Sequence, residues 1–289
     1  MLDKPAGLTS HDCVARVRRA YGLRRVGHGG TLDPAVTGVL PIAVGPATRL
    51  LPYLAGEKSY RGVVQLGLRT STDDLEGEVL ERSPLPPLGA AAVEAALAGF
   101  RGTIRQRPPR VSAVHVGGER AYVRARRGEM PEPDARPVTI LELRLEGLEA
   151  ASGRLELSLR CSAGTYVRAL ARDLGEALGC GGALASLRRT AALGFGLAQA
   201  VPLERLATAP PPALLDPLQA LPHLPRLLLE EEQLGDWRCG RALPAPAGLA
   251  ERAGAGPVAV LRPDGILAGI ARIGPEGLLH PKLVFDAAG

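Results

Sequence analysis

The stretch that most constrains this chain is residues 27–41, GHGGTLDPAVTGVLP. Its four glycines let the backbone adopt turns with positive φ and approach a ligand closely. Asp33, the only acid in the stretch, precedes Pro34, and a residue before proline favours an extended conformation. The sequence therefore predicts a fixed loop that presents one carboxylate, with the imidazole of His28 and several backbone amides as its other polar groups.

Two common nucleotide-binding patterns do not describe this loop. The dinucleotide pattern GxGxxG fails because Leu32 occupies the third glycine position after Gly27 and Gly29, and no lysine follows as in a Walker loop. A purely structural turn, in which Asp33 caps the next helix and the glycines allow tight packing, remains open from the spacing alone.

The same residues resemble the signature loop of the TruB family, the tRNA pseudouridine-55 synthases, which reads GHxGxLDPxATGxLP. Asp33 matches the aspartate that is catalytic in that family. Gly29 stands where family members usually carry threonine or serine, and Val36 replaces a common alanine. Neither departure affects the acid.

Further stretches carry the resemblance along the chain. Residues 58–61, KSYR, match the family stretch whose tyrosine packs against the target base, which assigns that contact to Tyr60. From the residues alone, a tyrosine at a strand start is ordinary core or edge packing. Residues 69–77, RTSTDDLEG, resemble a family turn, and we interpret them as a structural, hairpin-like connection.

A third matching stretch, residues 164–168 (GTYVR), follows a predicted strand. Residues 154–161 alternate strictly between polar and apolar side chains, which predicts a half-buried strand. Helical spacing begins at Val167 and places Arg168 in the first turn. By the resemblance, Arg168 pairs with Asp33 and Tyr166 lies in the uridine pocket.

Two further residues are assigned roles: one follows the helix that begins at Val167, and the other lies near the start of the chain. Leu187 matches the family's LRR stretch, which borders the same pocket; without the family it would be assigned to the core. Ser10 precedes apolar residues at helical spacing and is predicted to cap the helix they form.

The resemblance implies an α+β fold. We expect a pseudouridine synthase fold, built on a mixed, largely antiparallel sheet flanked by helices, over residues 1–222. A stretch rich in proline and leucine, residues 201–225, reads as a linker. Residues 223–289 are expected to form a small PUA-like β domain, in which two apolar runs flank a Pro-Asp-Gly hairpin turn at residues 263–265.

Basic charge is concentrated in the first two thirds of the chain. The net charge is +5, with seven basic and three acidic residues over 1–50, eight and two over 101–130, and seven and eight over 223–289. Such a bias suits a nucleic-acid partner without requiring one. Residues 105–137 resemble an insertion that grips RNA in family members, although a solvated surface loop is the alternative reading of the residues.

Composition excludes several classes of protein. The four cysteines are far apart and form no cluster with histidine, so neither a zinc site nor a disulfide framework is indicated. No apolar run approaches the roughly 20 residues that span a bilayer, and the N-terminal residues do not resemble a signal peptide. We expect a cytoplasmic protein without metal or cofactor, and by the resemblance a monomer.

Pseudouridine formation breaks the bond from C1′ to N1 of a uridine, turns the uracil and rejoins it through C5. The resemblance implies that Asp33 either attacks the sugar covalently or takes a sugar proton, and that His28 assists the flipped-out arrangement of the RNA. The expected substrate is uridine 55 in the T-stem and loop of tRNA, without a guide RNA. A guide-dependent relative and a non-catalytic RNA-binding or RNA-folding module of the same fold are the alternatives.

Overall fold

The computed structural model of the chain describes residues 1–130, 132–207 and 210–285. Within these residues the α-helices are α1 (Ser10–Tyr21), α2 (Ala90–Ala98), α3 (Ala121–Arg126), α4 (Val167–Ala177), α5 (Gln233–Arg238) and α6 (Leu249–Ala253). Short 3-10 helices occupy Gly45–Tyr53, Leu197–Gln199, Leu203–Ala207 and Pro217–Ala220.

The strands within the same described residues are β1 (Leu2–Lys4), β2 (Val26–His28), β3 (Thr37–Leu40), β4 (Ile42–Val44), β5 (Lys58–Leu66), β6 (Leu68–Thr70), β7 (Val79–Arg82), β8 (Gly102–Gln106), β9 (His115–Val116), β10 (Glu119–Arg120), β11 (Arg136–Glu149), β12 (Arg154–Cys161), β13 (Gly182–Ala192), β14 (Phe195–Gly196), β15 (Val201–Pro202), β16 (Arg226–Leu228), β17 (Leu243–Pro244), β18 (Pro257–Leu261), β19 (Leu267–Ile273) and β20 (Leu278–Val284).

The chain divides into two compact units that do not follow chain order. The first comprises Met1–Cys13, Gly30–Pro41 and Gly56–Arg205, and the second comprises Val14–Gly29, Ile42–Ala55 and Leu206–Gly289. Residues 208 and 209 of the predicted linker and residue 131 of the predicted insertion lie outside the described residues.

A mixed sheet forms the centre of the first unit. Its order is β15-β1-β3-β13-β5-β12-β11-β8, with β14 beside β13. The pairs β1–β15 and β13–β3 are parallel, and the other pairs along this path are antiparallel. The predicted strand over residues 154–161 is confirmed as β12, whose three leucines (Leu155, Leu157 and Leu159) are buried. Burying each contributes about 1.5–3 kcal/mol to folding.

Helix α4 packs closely against the start of β13. The predicted helix after residue 166 is confirmed, and its buried face includes Leu170 and Leu174. A Cβ atom at Gly175 would lie 2.1 Å from the backbone nitrogen of Gly182, so only glycine allows this approach. The close contact fixes α4 on the sheet and thereby positions Arg168 in its first turn.

The second unit contains a separate sheet, with strand order β16-β18-β19-β20-β17 in the described part of the chain. The predicted hairpin at residues 263–265 is confirmed, because β18 and β19 pair in antiparallel fashion across it. Leu50 packs in one apolar cluster with residues from 218 to 283. Trp237 is buried in a second cluster and donates a hydrogen bond to the Ala268 carbonyl at 3.1 Å.

The cap of α1 differs from the prediction. Thr9, not Ser10, caps the helix: its hydroxyl accepts a hydrogen bond from the Asp12 amide at 3.0 Å, while the Asp12 carboxylate accepts from the Thr9 amide at 2.8 Å. This reciprocal pair is a capping box. Ser10 is thereby free to bind the backbone of Leu32, which lies next to Asp33.

Candidate active site

A cavity of about 220 Å³ in the first unit brings the predicted site residues of that unit together. Its lining includes Asp33, Tyr60, Tyr166, Arg168 and Leu187. These residues come from the signature loop, from β5 and β13, and from the junction of β12 with α4. The sheet order places β13 beside both β3 and β5, which explains how residues far apart in sequence converge.

Asp33 and Arg168 form an ion pair in this cavity. Arg168 Nε lies 3.0 Å from Asp33 Oδ2. The arginine side chain is only 8% exposed, whereas the aspartate side chain is 43% exposed. The carboxylate therefore faces the opening of the cavity with a buried cation behind it.

The remaining nitrogens of Arg168 hold two other segments. Nη1 donates to the Thr72 carbonyl at 2.8 Å and lies 3.6 Å from Asp74 Oδ2. Nη2 donates to the Val111 carbonyl at 3.0 Å. One guanidinium, with its rigid fork of donors, thus fixes the loop that carries Asp33, the 69–77 turn and the start of the insertion relative to each other.

Buried polar side chains fasten the loop that carries Asp33. Lys4 is fully buried, and its amine donates to the carbonyls of Pro34 at 2.9 Å and Val36 at 2.7 Å. Burial lowers the pKa of Lys4. Ser10 Oγ both donates to the Leu32 carbonyl and accepts from its amide. These hydrogen bonds hold the backbone on either side of Asp33.

Arg189 fastens both ends of the same loop. It is fully buried, and it donates to the Val39 carbonyl at 2.6 Å and to the Gly30 carbonyl at 3.1 Å. A Cβ atom at Gly38 would lie 2.1 Å from the Arg189 carbonyl oxygen, so β3 and β13 approach as only glycine permits. Arg189 is the second basic residue of the LRR stretch, which sequence reasoning alone would have placed on the surface.

The two tyrosines are held in different ways. Burial raises the pKa of the Tyr60 phenol, although Arg189 lowers it, so Tyr60 is neutral at neutral pH. The Tyr166 backbone exchanges hydrogen bonds with the buried side chain of Gln106, at 2.8 and 3.1 Å. The guanidinium of Arg136 lies 5.2 Å from the centre of the Tyr166 ring, which is a cation–π contact.

His28 belongs to the second unit, on β2, where it pairs with Ile42 of β4. Its predicted contribution to RNA binding remains a prediction.

Four residues near the cavity were not identified as functional from the sequence. Asp74 lies in the turn that we interpreted as purely structural, yet its carboxylate faces Arg168. Lys58 and Ser112 line the cavity, and Arg189 holds the loop. Acids in polar turns and lysines at strand starts are common, so spacing alone does not identify Asp74 or Lys58. The available signal was that both lie in stretches that resemble the family, residues 69–77 and 58–61.

The predicted insertion contains β9, β10 and α3 in its described part. Several of its arginines pair with glutamates: Arg107 and Arg110 with Glu132, and Arg124 with Glu129. Exposed pairs of this kind contribute little to stability, typically about 0–1 kcal/mol, and leave the guanidinium groups accessible.

The described ranges of the chain contain neither a cluster of metal ligands nor a membrane-spanning helix. No group of three or more His, Cys, Asp or Glu side chains there could hold a metal ion. None of the described helices is long and apolar enough to cross a membrane.

Comparison with solved structures establishes the fold. A chain in "Structure of H/ACA RNP bound to a substrate RNA containing 2'-deoxyuridine" is similar with a TM-score of 0.71 at 22% identity, covering 98% of this chain and 83% of that one. A chain in "Crystal Structure of a Cbf5-Nop10-Gar1 Complex" has a TM-score of 0.68 at 24% identity, covering 94% and 76%. The predicted pseudouridine synthase fold is confirmed, and the separate five-stranded sheet, counted in the described residues, is consistent with a PUA-like domain.

Curated relatives match over the full length of the chain. Proteins named tRNA pseudouridine synthase B are 60% identical in Parasynechococcus marenigrum and 59% identical in a Synechococcus species, each over 100% of this chain and 97% of the relative. One from Prochlorococcus marinus is 52% identical over 100% of this chain and 98% of its own.

Two family domains also match. The TruB family pseudouridylate synthase N-terminal domain matches residues 18–167, and the tRNA pseudouridylate synthase B C-terminal domain matches residues 168–213. The chain therefore belongs to the TruB family of pseudouridylate synthases, which are isomerases.

Proposed function

We propose that this protein isomerises uridine 55 in the T-loop of tRNA to pseudouridine, acting as a cytoplasmic monomer without guide RNA, metal or cofactor. The observation that carries the proposal is the ion pair of Asp33 with the buried Arg168, inside a cavity of about 220 Å³ that Tyr60, Tyr166 and Leu187 also line. Relatives named for this activity at 52–60% identity support tRNA as the substrate.

Asp33 is the reacting carboxylate in this proposal. The oxygen that is not paired with Arg168 can attack C1′ or take a proton from the sugar, while the ion pair with Arg168 orients the carboxylate. Because buried polar side chains already hold the loop, little reorganisation is needed when the nucleoside enters. The reacting groups are held in place before the reaction, which lowers its barrier.

The remaining site residues bind the base. Tyr60 stacks on the uracil, and Tyr166 and Leu187 complete the pocket around it. Such stacking contributes roughly 1–3 kcal/mol per base. This offsets part of the few kcal/mol needed to flip the uridine out of its loop. His28 assists the rearranged RNA loop.

We also propose a division of labour along the chain. Residues 1–222 carry the catalytic function, with the insertion at 105–137 gripping the T-stem. Residues 223–289 are an auxiliary PUA-like part, since their charge is close to neutral.

The test uses the purified protein alone with an unmodified tRNA transcript, followed by mapping of pseudouridine. We expect one modified position, uridine 55, and the same product in a hairpin that contains only the T-stem and loop. A transcript with cytidine at position 55 is the matched control and should stay unmodified. The proposal would be contradicted if the protein formed no product unless a guide RNA was added. It would also be contradicted if pseudouridine appeared only at other positions.

A further inference from the structure

Lys58 is a cavity residue to which the proposed function assigns no role. It begins β5 two residues before Tyr60, so both side chains leave the strand on the same face. Both line the cavity that contains Asp33. A Cβ atom at Gly30, where φ is +120°, would lie 3.3 Å from Lys58 Nζ, so the ammonium group lies directly against the catalytic loop.

The ammonium group of Lys58 has no counter-ion in the described residues. No hydrogen bond or ion pair joins its Nζ to an acceptor there. Its charged neighbour is another cation, Arg189, and a Cβ atom at Gly30 would also lie 3.7 Å from Arg189 Nη1. Lys58 is half-buried, and this burial lowers the pKa of its ammonium group. Even partial burial of a charge without a partner is costly, so the position is typical of a group that awaits a ligand.

A second polar group in the same cavity is also unpartnered. Ser112 is 5% exposed, lines the cavity, and its Oγ has no hydrogen-bond partner. Lys58 and Ser112 therefore offer hydrogen bonds that the free protein does not use. Apart from Asp33, the ionisable side chains that line the cavity are the two tyrosines and the cations Lys58 and Arg168.

The reaction develops a negative charge that fits this arrangement. When the C1′–N1 bond breaks, its electron pair stays on N1 and is shared with the two carbonyl oxygens of the uracil. When C1′ bonds to C5, that charge is used in the new bond, C5 later loses its proton, and N1 gains one. The base is thus anionic only while it is detached, on either route open to Asp33.

We propose that Lys58 is a catalytic residue that stabilises the detached uracil anion by donating a hydrogen bond from its ammonium group to a carbonyl oxygen of the base. This inference rests on the proposed function and adds a residue to its site. Lys58 keeps its proton throughout. Ser112 provides a second, neutral hydrogen bond to the same base.

The test compares Lys58→Met, which keeps length and removes charge, with Lys58→Arg, which keeps the charge. A single preorganised donor of this kind contributes about 10²–10³ in kcat, so we expect Lys58→Met to lose about 100-fold in kcat with little change in KM, and Lys58→Arg to recover part of the loss. Lys282→Met, at an exposed lysine, makes the same change in net charge and should leave kcat unchanged.

A substrate with 5-fluorouridine at the target position distinguishes a direct effect of Lys58 on the base anion from a structural effect of the substitution. Fluorine stabilises the detached base anion, so the loss caused by Lys58→Met in single-turnover cleavage of the N-glycosidic bond should be smaller than with uridine. Lys58→Met should also unfold at the same temperature as the unsubstituted protein or higher, because a half-buried charge without a partner is gone.

Two results would overturn the inference: an unchanged kcat in Lys58→Met, or an equal loss on both substrates. No pseudouridine from the unsubstituted protein would overturn the proposed function as well. If the unsubstituted protein and Lys58→Met both form pseudouridine at the normal rate, only the role of Lys58 is overturned.

Discussion

Arg168 is the residue on which the geometry of the site depends. Its guanidinium contacts the Asp33 carboxylate, two backbone carbonyls and, at 3.6 Å, the Asp74 carboxylate. A lysine ammonium has the same charge but no planar fork, and it cannot reach partners on three segments at once.

Arg168→Lys should therefore retain the fold and lose catalysis. We expect kcat to fall about 100-fold with little change in tRNA affinity, because a displacement of about 1 Å can cost that much. Single-turnover pseudouridine formation and filter binding measure the two effects. Arg154→Lys, at an exposed position of β12, is the matched control. An Arg168→Lys variant with normal kcat would show that the fork of donors is unnecessary.

The 69–77 turn and helix α4 meet through a second arginine. Arg172, one turn after Arg168, contacts the Asp73 carboxylate at 2.8 Å and the Arg107 carbonyl at 2.9 Å. Asp73 has φ +62°, a left-handed conformation that costs energy in residues other than glycine but is best tolerated by Asn and Asp. Burial raises the pKa of Asp73 above 3.8, and the nearby Arg172 only partly opposes this.

The raised pKa of Asp73 makes the free energy of unfolding depend on pH in a defined direction. Between 3.8 and the raised value, folded Asp73 holds a proton that the unfolded chain has lost, so the free energy of unfolding falls as pH rises through this window. Asp73→Asn lacks this contribution, so the stability of the unsubstituted protein relative to Asp73→Asn should decline over the window. Urea unfolding at successive pH values measures it. Arg172→Met should steepen the decline, whereas a difference independent of pH would refute the account.

The packing of α4 on β13 gives a second prediction for these elements. Replacing glycine by alanine inside a helix normally stabilises it by about 1 kcal/mol. Gly175→Ala should instead destabilise the protein by about 1–3 kcal/mol, because the new methyl group meets the backbone of Gly182. Gly235→Ala in α5 meets nothing within 4 Å and is the control. Equal stability of the two variants in thermal unfolding would contradict the close contact.

On the scale of the whole molecule, the second unit is assembled from three separated segments. Residues 42–55 belong to it, and Leu50, Tyr53 and Leu54 pack in a cluster with side chains between residues 218 and 283. A cut at the boundary drawn from the sequence, after residue 222, would remove most of that cluster.

A chain ending at residue 222 should therefore expose apolar surface. We expect it to bind the dye ANS, and its unfolding midpoint to fall by about 5 °C or more, since even 1 kcal/mol shifts the midpoint of a chain this size by about 2–4 °C. The full chain with Leu50→Ala should show a smaller drop of the same kind. A truncated chain that unfolds at the original midpoint and binds no dye would contradict this packing.

The sequence predicted the elements that have a local hydrophobic pattern and the site residues that lie in family motifs. Strict alternation identified β12, helical spacing identified α4, the signature loop led to Asp33, and the family resemblance of residues 164–168 led to Arg168. It did not predict that residues 14–29 and 42–55 join the second unit, because contacts such as those of Leu50 leave no periodic signal. The roles of Ser10 and Arg189 also depend on tertiary contacts: both look like ordinary helix or surface residues until the loop folds against them.

The proposed isomerisation depends on the Asp33 carboxylate, which Arg168 holds in place. The most direct test is Asp33→Asn, which keeps the size of the side chain and removes its charge, assayed with an unmodified tRNA transcript for both binding and product. We predict no pseudouridine at position 55 and largely unchanged tRNA binding. Near-normal turnover in this variant would contradict the account.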